Sequence, residues 1–75
     1  MLRVTVGTNT SREVVIIPPE QTPRQLLEEK EVNYAVANVH LDGASLRPGD
    51  MDKSFADLGI TESCYLIAVV KADNA

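Results

Sequence analysis

Aromatic side chains are scarce in this chain, which has no tryptophan, one phenylalanine (Phe55) and two tyrosines (Tyr34 and Tyr65). The core must therefore be packed from aliphatic side chains. A single cysteine, Cys64, excludes an internal disulfide framework. No apolar run approaches the roughly 18 residues of a membrane span, and no basic segment leads into a signal-type apolar stretch. A reducing cytoplasm is the expected location, with no membrane insertion. Seven basic residues face eleven acidic ones, for a net charge of -4. An acidic surface without a Lys/Arg cluster repels phosphate backbones, so a nucleic-acid partner is not expected.

What is present is a hydrophobic fraction of 44%, rich in Val, Leu and Ile, within 75 residues. That is the composition of one folded domain, and a chain this short buries only about 60% of its unfolded surface. One domain over residues 1–71 with a short flexible tail at 72–75 is the expected organisation. Leu2, Val4 and Val6 alternate with Arg3 and Thr5, which predicts a half-buried strand over Met1–Val6. Gly7 to Ser11 reads as a hairpin loop and Arg12–Ile17 as a second strand. The run Val14-Val15-Ile16-Ile17 leaves that strand's register open, since either alternate pair can face inward.

Pro18-Pro19 ends the second strand. Thr22 then reads as a helix cap, Pro23 as its first residue and Gln25 as the partner in a capping box. The helix is predicted from Pro23 to about Val32, with Pro23, Leu26 and Leu27 inward and Glu28, Glu29 and Glu31 on a solvated face. A third strand to Leu41, the Asp42-Gly43 turn and a short fourth strand near Leu46 follow. Arg47 to Asp50 reads as a further turn. Ser54 caps a short helical turn closed by Gly59, Ile60 enters the core, and Cys64–Val70 forms a strongly apolar last strand. The first and last strands suit parallel pairing at the centre of the sheet. The fold class is α+β, a mixed four- to five-stranded sheet with one main helix packed on one face.

Reactive constellations are missing. His40 is the single histidine, and a strand tip offers it no cleft, nucleophile and orienting partner together. Asp50-Met51-Asp52 lacks the further oxygens of a calcium loop and reads as a turn. Cys64 has no second cysteine and no basic neighbour, which suits a semi-buried strand residue. Gly7 and Gly43 are not set in a phosphate-cradling pattern. Neither a cofactor nor enzymatic activity is expected.

The order of elements, with the pattern Leu41-x-Gly43-x-x-Leu46, then Phe55-x-x-Leu58-x-Ile60, then Leu66, resembles the ubiquitin-like β-grasp family from Met1 to about Val70. The segment Arg47–Lys53 is slightly longer than in ubiquitin. Conjugated modifiers and sulfur carriers of that family act through a terminal Gly-Gly. This sequence has no such pair at Ala72-Asp73-Asn74-Ala75 or internally, and one cysteine cannot ligate a ferredoxin cluster. The resemblance thus narrows to ubiquitin-like modules such as the small bacterial YukD-like proteins. It implies a protein-interaction module, monomeric or weakly dimeric, whose partner binds the sheet face opposite the helix. Aligned on Gly43, Ile60 and Leu66, that face carries His40, Ile67 and Val69. A one-residue shift of the last strand would turn Leu66 and Ala68 outward instead. Two other uses stay open on the resemblance, a carrier with a processed end and an accessory subunit of a larger assembly.

Overall fold

A computed structural model of the chain describes residues 1–70; the expected tail at 72–75 lies outside the described residues. The alternation of Leu2, Val4 and Val6 produces strand β1 (Leu2–Thr8), paired antiparallel with β2 (Arg12–Ile17). β1 runs two residues past the expected end. Gly7 continues the ladder opposite Arg12, and the Thr8 N–H donates to the Ser11 carbonyl at 2.7 Å, leaving Asn9-Thr10 as the tip. The pairing Val4↔Val15 resolves the open register: Val15 and Ile17 share the inner face with β1's apolar residues, and Val14 and Ile16 face out.

Helix α1 (Pro23–Glu29) starts at the capping box read from the sequence. The Gln25 N–H donates to Thr22 Oγ1 at 3.2 Å, and the Thr22 N–H donates to Gln25 Oε1 at 3.1 Å. The helix stops short of the expected Val32. Glu31 takes the left-handed conformation (φ 58°), its N–H donates to the Glu28 carbonyl, and the Val32 N–H reaches back to Leu27. These two bonds are the Schellman termination, in which Val32 packs on the core beyond the end of the helix. The same pair of bonds closes the turn after Ser54. There Gly59 (φ 87°) donates to Ala56, and Ile60 donates to Phe55.

A 3-10 turn (Tyr34–Val36) leads into β3 (Ala37–Leu41), which pairs with the two-residue β4 (Ala44–Ser45). A second 3-10 turn (Pro48–Asp52) occupies the segment that the sequence reads as a turn. Finally β5 (Ser63–Val70) enters between β1 and β3, parallel to the former and antiparallel to the latter. The sheet order is β2-β1-β5-β3-β4. Leu2, Val4, Val6, Leu26, Leu27, Phe55, Cys64, Leu66 and Ala68 form the buried core on one face, and no polar or charged residue is buried among the described residues.

Three backbone positions predict different outcomes. A Cβ on Gly7 would lie 2.1 Å from the Ser11 carbonyl oxygen and 2.7 Å from the Arg12 Cα, both backbone atoms. Gly7→Ala should therefore destabilise the domain by about 1–3 kcal/mol in urea unfolding, as overpacking does. Gly49, with nothing within 4 Å of such a Cβ, should tolerate the same change. Glu31 carries a side chain where glycine is preferred. Glu31→Gly should be neutral or stabilising by up to about 1 kcal/mol, despite glycine's usual penalty in helices.

Candidate functional site

The outer sheet face is set by the alternation of β5. Because Cys64, Leu66 and Ala68 fill the core, Tyr65, Ile67 and Val69 must point away from it. β1 presents Arg3, Thr5 and Gly7 on the same side, and β2 presents Arg12, Val14 and Ile16. Ile67 lies directly opposite His40 on β3 and Gly7 on β1, while Val69 lies opposite Asn38. The structure thus brings His40, Ile67 and Val69 onto one face, on adjacent strands. Gly7 leaves the β1 side of Ile67 without a neighbouring side chain.

The face is larger than the three residues derived from the sequence. Tyr65 (57% exposed), Val14 (58%) and Ile16 (56%) add to it. Tyr65 shares parity with Ile67 and Val69, so it was legible once Leu66 was taken as core. Val14 and Ile16 became assignable only with the β1–β2 register. Strand positions of this face carry Arg3 and Arg12 and no carboxylate, whereas Glu28 and Glu29 lie exposed on α1. At the patch's edge Asp42, itself in a left-handed turn (φ 53°), accepts the Tyr65 N–H at 2.8 Å.

Other features are accounted for by local interactions. Arg24 of α1 donates to Asp52 Oδ1 (2.6 Å) and Oδ2 (3.1 Å) and to the Tyr34 hydroxyl (3.3 Å), which donates to Glu28. The guanidinium also sits 5.5 Å from the centre of the Tyr34 ring. Hydrogen bonding to Arg24 holds the Asp52 carboxyl below its usual range. Asp50 pairs with Lys53 at 3.1 Å, so both carboxylates of the Asp50–Asp52 turn are engaged by cations. Beside the clamp lies an open cavity of about 360 Å³ lined by Tyr34, Val39, Leu46 and Met51 among others. Among the described residues no three His, Cys, Asp or Glu side chains are grouped as a metal site would need, and no helix is long and apolar enough to cross a membrane. His40 sits on an open strand surface.

Cys64 lies buried on the core side of β5, and burial pushes its thiol up to about 11 from 9.0, with the Asp42 charge adding to the shift. The folded chain therefore holds this proton where the unfolded chain has released it. Stability is fully present below pH 9 and falls as pH rises through about 11. Thiol reagents at pH 8 should label Cys64 only as fast as the domain opens, with labelling becoming fast in urea.

No family model and no curated protein matches the sequence. Solved structures do match. A ubiquitin-like domain from Arabidopsis thaliana superposes with a TM-score of 0.72 at 19% identity, covering 99% of this chain and 81% of that one. A ubiquitin-like protein from Trypanosoma brucei gives 0.70 at 19% identity, with 95% of each chain covered. Caldiarchaeum subterraneum ubiquitin gives 0.68 at 10% identity over 99% of this chain and 98% of that one. With the strand order and the one α-helix among the described residues, these similarities establish that the chain has the ubiquitin-like β-grasp fold.

Proposed function

We propose that this chain is a non-enzymatic protein-interaction module that binds a partner protein through its outer sheet face. The carrying observation is the apolar group Tyr65, Ile67 and Val69, continued by Val14 and Ile16, on a face that the single helix leaves uncovered. His40 supplies a polar group at the centre of that face, opposite Ile67. Arg3 and Arg12 border the apolar side chains without a carboxylate at the strand positions, in a chain whose net charge is -4. That distribution favours a partner surface that is apolar at its centre and acidic at its rim, because opposite charge speeds encounter and like charge rejects other partners. Affinity from one such small face is modest.

Ile67→Asp and Val69→Asp should each weaken capture of the partner from native lysate by about tenfold or more, as loss of an apolar anchor does. Circular dichroism and thermal unfolding should stay close to those of the unmodified chain, whereas Leu66→Asp should unfold it. Unfolding by Ile67→Asp and Val69→Asp, or undiminished capture, would end the sheet-face reading. Intact mass spectrometry of the captured protein separates the alternative: a covalent adduct or a trimmed end would mean a carrier or modifier.

A further inference from the structure

β2 is an open edge of the sheet, and the centre of the strand carries no protecting residue. The opposite edge, β4, is two residues long, which blunts pairing, whereas β2 offers six. Its centre is Val14-Val15-Ile16-Ile17, with no lysine, proline or bulge; charge appears only at Arg12 and Glu13, where the strand begins. The ladder fixes which backbone groups are free. The Arg3 N–H donates toward the β5 side, to the Glu62 carbonyl at 2.9 Å. The alternate residues Leu2, Val4 and Val6 therefore turn their groups to β2, where Ile17, Val15 and Glu13 receive them. Arg12, Val14 and Ile16 direct their N–H and C=O groups outward from the edge.

We infer that β2 pairs antiparallel with β2 of a second copy of this chain, about a two-fold axis through Val15. In this register Val14 of each copy lies opposite Ile16 of the other, and the two residues exchange four backbone hydrogen bonds across the seam. Shifting the axis by one residue to Val14 would set Ile16 against the other copy's Arg12, replacing an apolar pair with a charged one. In the chosen register Arg12 falls opposite the other copy's Pro18, which has no N–H to donate, so the seam ends there. The side chains of Val14 and Ile16, more than half exposed in one copy, gain apolar neighbours in a sheet of twice the width. The association is weak, since one strand seam is a small interface.

Amide exchange of the unmodified chain, followed by NMR from micromolar to millimolar concentration alongside sedimentation, tests this. The expected result is a doubling of mass, with protection rising at the Val14 and Ile16 amides. The amides of Glu13, Val15 and Ile17, already bonded to β1, should change little. Val14→Lys should keep the circular dichroism spectrum and raise the dimer dissociation constant about tenfold or more, the effect of roughly 1.4 kcal/mol. A chain that remains monomeric at millimolar concentration overturns the proposal. So does a dimer whose new protection lies outside β2, or one that Val14→Lys leaves intact. Should Val14→Lys fail to fold, the exchange pattern of the unmodified chain alone decides.

Discussion

The parallel pairing of β1 with β5 is the constraint on which the other elements depend. It sets Val4 beside Cys64 and Val6 beside Leu66, and all four side chains are buried on the same face. Parallel neighbours cannot be joined by a tight turn, so the chain between them has to cross over the sheet. That crossover is where α1 and the Phe55 turn find their places. Phe55, buried completely, is held by its own N–H to the Gln21 carbonyl, and Ala56 bonds Pro19, so the segment before α1 and the segment before β5 are fastened together. Arg24 adds a second fastening, from α1 to the Pro48–Asp52 turn. The Arg24 and Asp52 side chains are 36% and 66% exposed, so the pair orients the helix more than it stabilises the fold.

Much of this was legible in the residues because local and global preferences agree. Thr22, Pro23 and Gln25 specify a helix start by hydrogen-bonding chemistry alone, and the start lies where they put it. The helix end did not announce itself, since the left-handed residue is Glu31 rather than glycine; the termination depends on Val32 finding the core, which is a tertiary event. The identical motif at Gly59 was readable for the opposite reason. The second strand shows a similar limit. Four consecutive β-branched residues carry no alternation, and only the partner strand decides which pair faces inward. For the last strand, the resemblance supplied the orientation that composition could not, and the pairing of Ile67 with His40 agrees with it.

The candidate surface follows from the same geometry. Among the described residues one helix covers one face of the sheet, and no second layer covers the other. Apolar side chains demanded by strand propensity on β2 and β5 consequently remain in contact with solvent. Glu28 and Glu29 lie on the helix, and Arg3 and Arg12 lie on the opposite side of the sheet. The outer strand positions thus carry no carboxylate in a chain whose net charge is -4.

The central position of β5 also bears on how the chain comes to fold during its synthesis. β1 is made before the other strands and its parallel neighbour β5 after them, so nearly the whole domain must be synthesised before the core can close. Until then the β1–β2 hairpin and α1 have nothing to bury against, and an isolated hairpin is marginal in water. Closing so long a loop also makes folding slow for a chain of this size. Protection of the core accordingly arrives in one step, when β5 joins β1 and β3 in the sheet.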